Sequence, residues 1–139
     1  MKYILKGGTV VGSSVSCEAD LLIDGEKIAA VGKDLLCEGA QVVDVTGKLL
    51  FPGFIDAHTH FDLDVCNTTT ADDFASGTRS ALRGGTTMVI DFACPNKGET
   101  LGYGLALWHE KADGRSSCDY AFHMTIDDWN EGIRAEIPA

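Results

Sequence analysis

Two histidines separated by one residue, in His58-Thr59-His60, are the side chains best suited to chemistry in this chain. On a strand, positions i and i+2 face the same side, so both imidazoles can reach one cation. Zinc and similar metals accept neutral imidazole nitrogen at about 2.0–2.1 Å, and two such ligands anchor one corner of a coordination sphere. Spacing alone is a weak signal, because paired histidines near a strand end often only hydrogen-bond at a surface. The other titratable candidates have plainer readings. His109, beside Trp108 in a helical pattern, reads as a solvated or capping residue, and His123, alternating with Phe122, as a hydrogen-bonded core histidine. Asp91, near the end of a strand pattern, is placed to support the pair from behind, and Asp127-Asp128 reads as the charged start of a helix.

The elements that position the pair follow from hydrophobic periodicity. Residues 2 to 50 read as short strands: Tyr3-Ile4-Leu5, Thr9-Val10-Val11, Asp20 to Ile23, Lys27 to Val31, Gln41 to Val45 and Lys48 to Phe51. Asp24-Gly25 before the Lys27 run signals a hairpin. The pattern changes at Pro52-Gly53, and Phe54 to His58 begins a strand. Thr70 as N-cap with Asp73 three positions on resembles a capping box, opening a helix with Phe74, Thr78, Ala81 and Leu82 on one face. Thr86 to Phe92 is an apolar run of the kind expected for a strand covered on both faces. A helix over about Glu99 to Ala112 carries Leu101, Leu105, Trp108 and Ala112 on one stripe. Asp119 to Thr125 is a third strand, and Trp129, Ile133 and Ile137 start a third helix. The order β-α-β-α-β-α is that of a parallel α/β fold. The reading is therefore a small β unit over 1–51, then three β/α units of a parallel α/β fold over 52–139, which, if it is a TIM-like (β/α)8 barrel, is an incomplete one holding the first three units. A full barrel needs eight such units, and a slice of three leaves strand edges and apolar helix faces bare. His58 and His60 fall at the C-terminal end of the first α/β strand, where barrel enzymes place their active sites.

Composition bounds the partners. The 139 residues carry a formal net charge of −10, which argues against nucleic acid or an anionic membrane as a partner. Hydrophobic content of 45% suits a globular chain, and apolar runs are strand-sized rather than membrane-spanning. Lys6 and the glycines after it interrupt any secretory core near Met1, so a cytoplasmic protein is expected. The five cysteines, Cys17, Cys37, Cys66, Cys94 and Cys118, form no CxxC and read as free thiols.

Longer strings sharpen the reading. Pro52-Gly53-Phe54-Ile55-Asp56-Ala57-His58-Thr59-His60 resembles the first metal motif of the amidohydrolase superfamily, whose barrel opens on such a strand. His58 to Asp62, Thr70 to Arg79, Gly84 to Phe92 and Asp119 to His123 together resemble the hydantoinase and dihydropyrimidinase family. Phe61-Asp62-Leu63-Asp64-Val65 is similar to bacterial D-phenylhydantoinase-like members. The resemblance implies that residues 1–51 are part of a small β-sandwich and that 52–139 begin a metal-dependent barrel hydrolase domain. It implies a binuclear site, most often two Zn2+, with His58 and His60 among the ligands. It further implies ring opening of a hydantoin or 5,6-dihydropyrimidine to an N-carbamoyl amino acid, with metal lowering the pKa of the attacking water toward ~7. In that family a carboxylated lysine, two further histidines and an aspartate complete the site. No lysine follows Lys111, so the chain alone is expected to be inactive and poorly folded.

The resemblance also bears on the substrate. Dihydroorotases carry an arginine for the substrate carboxylate where this chain has Asp62, so a neutral cyclic amide or ureide is the expected small molecule. Asp62 alternatively orients His60 or a loop amide. The stretch from Phe61 to Thr69 matches a loop that lines the substrate's exocyclic group, with Leu63, Val65 and Cys66 as an apolar wall or as packing beneath the loop. Full-length relatives are commonly tetramers. The rival readings are an allantoinase, a non-catalytic scaffold like the dihydropyrimidinase-related proteins, and a short chain completed by a partner carrying the missing strands.

Overall fold

In the computed structural model, which describes residues 1–137, the chain divides into two compact units, Met1–Pro52 and Gly53–Ala139. The first is all strand: β1 (Lys2–Val11), β2 (Ser16–Asp24), β3 (Lys27–Gly32), β4 (Gln41–Asp44) and β5 (Leu49–Leu50). The order is β3-β2-β1-β4, with β5 also on β1. β1 pairs antiparallel with β2 and parallel with β4 and β5. Asp24 pairs with Lys27 across a two-residue turn opened by Gly25 at φ 62°, a conformation glycine takes without a Cβ penalty.

The two short runs read around Gly7-Gly8 are a single strand with a bulge between Leu5 and Gly8. The bulge frees the Gly7 N–H to bond Asp20 Oδ1 at 2.9 Å, while Leu35 N–H donates to Oδ2 at 3.1 Å. These donors, Gly7 first, hold the Asp20 carboxyl below the usual carboxylate range.

The second unit alternates strand and helix: β6 (Phe54–Thr59), a hairpin of β7 (Asp64–Val65) and β8 (Thr68–Thr69), α1 (Phe74–Arg83), β9 (Thr86–Ala93), α2 (Leu101–Ala112), β10 (Asp119–Met124) and α3 (Glu131–Glu136). β10, β9 and β6 form a parallel sheet in that order, so the chain is α/β as expected. Helices α1 and α2 lie on one face of β9. Phe74, Ala93, Trp108 and Ala112 form the buried centre there, joined by Phe61, Leu63, Tyr120 and Phe122.

Several expectations need correcting. The N-cap of α1 is Asp73, not Thr70: Asp73 accepts from Ser76 N–H at 2.7 Å and Ser76 Oγ closes the capping box. Thr70 is occupied elsewhere, its hydroxyl accepting from Leu63 N–H at 3.0 Å. Helix α2 begins at Leu101 behind the cap Thr100, and its buried stripe runs through Gly104 rather than Leu105, because Pro95 packs onto Gly104. Leu82 and Leu105 are exposed. β9 is covered on one face only: Val89, Asp91 and Ala93 are fully buried, while Met88, Ile90 and Phe92 on the other face are partly exposed. Helix α3 is capped by Asn130, so Asp127-Asp128 and Trp129 precede it and only Ile133 of its residues is buried. Among the described residues no helix is long and apolar enough to cross a membrane.

Candidate metal centre

The carboxyl end of β6 carries the pair. His58 Nε2 and His60 Nε2 lie 3.2 Å apart, with the two rings nearly perpendicular at 85°. Two neutral imidazoles facing each other through bare Nε2 lone pairs repel, so this approach needs a proton on one nitrogen or a cation shared by both. Two nitrogens bound at about 2.0–2.1 Å to one tetrahedral ion would stand a little over 3 Å apart, so the separation fits a shared metal. Both side chains are exposed, which leaves the remaining coordination positions accessible. Among the described residues no group of three or more His, Cys, Asp or Glu side chains converges as a metal site.

The neighbours of the pair come from the other two strands of the sheet. The Phe92 ring packs against His58 at 4.6 Å, His60 at 5.1 Å and His123 at 4.7 Å between centroids. His123 is hydrogen-bonded but not core: it is exposed, and its Nε2 lies 3.1 Å from the Ala57 carbonyl oxygen. His109 pairs with Asp113 at 3.0 Å on the last turn of α2, the helix-end role expected of it.

Behind the pair sits Asp91, fully buried. Its Oδ2 accepts from Thr59 Oγ1 and from Phe61 N–H, each at 2.9 Å, and its Oδ1 accepts from Phe92 N–H at 2.8 Å and Trp108 Nε1 at 2.9 Å. Thr59 and Trp108 drew no functional attention in the sequence. The alternation that sends His58 and His60 to one face sends Thr59 to the other, and that was the available signal.

The loop after the pair divides. Asp62 stands at φ 51°, its N–H donates to the Asp72 carbonyl, and its own carbonyl accepts from Lys111 Nζ. Its carboxylate accepts no hydrogen bond from His60 among the described residues. Leu63 packs into the core beside Phe74. Val65 and Cys66 lie on the exposed β7–β8 hairpin, where Cys66 and Asn67 take left-handed backbone and line a shallow concavity with Asp64 and Thr68. Leu63 and Val65 line one concavity with Pro95, Trp108 and Lys111, and Cys66 lies on the other concavity at the hairpin tip.

Known proteins resemble this chain in sequence and in backbone. The model of the amidohydrolase family matches residues 49–106. The D-hydantoinase of Geobacillus stearothermophilus is 46% identical over 99% of this chain and 29% of its own length. Dihydropyrimidinase-related protein 5 of Mus musculus is 41% identical over 99% of this chain and 24% of its own. The crystal structure of dihydropyrimidinase from Brevibacillus agri superposes with a TM-score of 0.95 at 47% identity, over 98% of this chain and 30% of that one. A more distant D-aminoacylase, whose structure is described in terms of a binuclear metal centre, superposes at a TM-score of 0.50 and 36% identity over 64% of this chain and 18% of its own. The chain spans about three-tenths of the length of the relatives it matches. In sequence and in backbone, this chain is similar to hydantoinases and dihydropyrimidinases over nearly its whole length, and its residues 49–106 match the amidohydrolase family.

Proposed function

We propose that the complete protein is a metal-dependent cyclic amidohydrolase that opens a hydantoin or 5,6-dihydropyrimidine ring to an N-carbamoyl amino acid. The observation that carries this is the approach of His58 Nε2 and His60 Nε2 to 3.2 Å at the end of β6. In this reading residues 1–51 are part of a small β-sandwich, and 52–139 are the first three β/α units of a TIM-like barrel. His58 and His60 hold divalent metal, most often two Zn2+ in the complete site. Metal bound there supplies Lewis-acid polarisation of an amide carbonyl and activation of water.

The chain's own residues orient and select. Phe92 limits how far the two imidazoles can turn, because its ring packs on both. Asp62 disfavours a substrate carboxylate and so favours a neutral ring. Val65 and Cys66 on the hairpin, with Leu63 below, border the exocyclic group. The partner is thus a small cyclic amide or ureide, in a cytoplasmic homotetramer, and the 139-residue chain by itself is inactive. Similarity to a dihydropyrimidinase-related protein does not by itself separate enzyme from scaffold. Two imidazoles poised for one ion favour the enzyme.

The test is hydrolysis of hydantoin and of a dihydropyrimidine by the complete protein, stripped of metal and reloaded with Zn2+. Ring opening should require the metal and fall in His58→Ala by more than the roughly 10–100-fold that losing a residue supporting a metal ligand costs. Ring opening that persists without metal, or none with it, would overturn the reading.

A further inference from the structure

The geometry points to Asp91 as the positioning residue of the His58/His60 pair, acting through Thr59 and Phe61 rather than by touching either imidazole. The proposal rests on the reading that the pair holds metal.

The backbone ladder holds the histidine segment at Thr59 alone. Pairing of β6 with β9 shifts register between Asp56 and Thr59, so Ala57 and His58 fall in an irregular stretch. The last regular partners are Thr59 and Asp91. What fixes the strand end is a set of side-chain bonds: His123 to the Ala57 carbonyl, Asp56 Oδ1 accepting from His58 N–H at 3.2 Å, and the Asp91 carboxylate. Among the described residues only Asp91 grips on both sides of His60, through the Thr59 hydroxyl and the Phe61 N–H on the same oxygen. Two donors to one oxygen fix residues 59 and 61 relative to each other, and so set the direction in which His60 leaves the chain.

The other oxygen ties the same carboxylate to its own strand and to α2, through Phe92 N–H and Trp108 Nε1. A carboxylate offers about four lone-pair sites, and all four donors are present. That complement is what lets the group stay fully buried, since a buried carboxylate short of donors is costly. Asp91 also sets Phe92 through its N–H, and the Phe92 ring packs on both imidazoles. One buried carboxylate therefore governs the strand that carries the ligands and the ring that walls them.

Asp91→Asn would set an amide N–H against the surrounding donors and endanger the fold, so the test removes one donor instead. Thr59→Val deletes the hydroxyl at nearly constant shape, and Thr59→Ser retains it. Thr78→Val is the control for losing a hydroxyl elsewhere in the same unit: Thr78 is more deeply buried than Thr59, and its hydroxyl donates to the Phe74 carbonyl and accepts from Ser117 N–H rather than from the histidine segment. In the complete protein, Co2+ affinity followed by absorbance should weaken about tenfold in Thr59→Val, stay near wild type in Thr59→Ser, and stay within about twofold in Thr78→Val. In the metal-free protein, the ring 15N–1H signals of His58 and His60 should shift or broaden in Thr59→Val and not in Thr78→Val. If Thr59→Val and Thr78→Val behave alike in both measurements, the assignment of Asp91 is wrong. If the wild type takes up no Co2+, the metal reading fails, and the ring signals still decide whether Asp91 positions the pair.

Discussion

Gly77→Ala sets two forces against each other, and the structure says which prevails. Gly77 is buried in the middle of α1 at an ordinary helical φ, so alanine meets no backbone penalty there. Helix propensity alone predicts stabilisation by about 1 kcal/mol. A Cβ at this position, however, falls 2.2 Å from Phe61 Cε1, 2.6 Å from Cδ1 and 2.7 Å from Cζ. The ring must retreat by more than an ångström, and it cannot turn freely, because it also packs edge-on against Phe74 at 5.4 Å. Overpacking of this kind costs about 1–3 kcal/mol, so the net effect should be a loss of up to about 2 kcal/mol. Urea unfolding of the complete protein reads the shift. Repeating the substitution in a Phe61→Ala background removes the obstacle, and there the same change should stabilise by about 1 kcal/mol. If Gly77→Ala has the same effect in both backgrounds, the ring is not what glycine accommodates and the reasoning is refuted. Because Phe61 directly follows His60, the single substitution should also loosen metal, whereas the background variant isolates the helix term.

Other outcomes follow from the hydrogen bonds. Trp108→Phe removes the indole donor from Asp91 Oδ1, and thermal unfolding should show a loss of about 1.5–3 kcal/mol, the range for a hydrogen bond to a charged group. Asp20 is held below its ordinary value of 3.8 chiefly by the Gly7 N–H, so the folded state favours the charged form. Its contribution is therefore complete above the unfolded pKa and disappears as pH falls through the lowered folded one. Acid titration of Asp20→Asn, monitored on strand signals of the first unit, should lack that part of the loss below about pH 4.

The α/β character was legible because periodicity reports burial directly: after Pro52 the chain switches between strand-length apolar runs and helical stripes. What escaped depended on partners far along the chain. Thr70 and Asp73 both satisfy the rule for a helix start, and only the Leu63 N–H that claims Thr70 decides for Asp73. Gly104 displaced Leu105 from the buried stripe because Pro95 needs a surface without a side chain. The β7–β8 hairpin turns on Cys66 and Asn67 in left-handed backbone, without the Asn-Gly pair that marks such turns. The pair His58 and His60 could be read from spacing. Its tether to Asp91 could not, because it joins residues 32 and 30 positions apart and depends on strand register.

That hairpin is closed at its base by a reciprocal latch, Thr70 N–H to the Leu63 carbonyl and Leu63 N–H to the Thr70 hydroxyl. Below the latch, the half-buried Leu63 packs on the core around Phe74; above it, residues 64 to 69 touch the solvent. Insertions above a latch of this kind cost only loop entropy, about 0.6 kcal/mol for each doubling of length. The tip can thus be rewritten by mutation while the strand that presents His58 and His60 stays as it is. On the proposed reading, a lineage built on this chain changes which exocyclic group it meets at the tip while the histidine pair stays where it is.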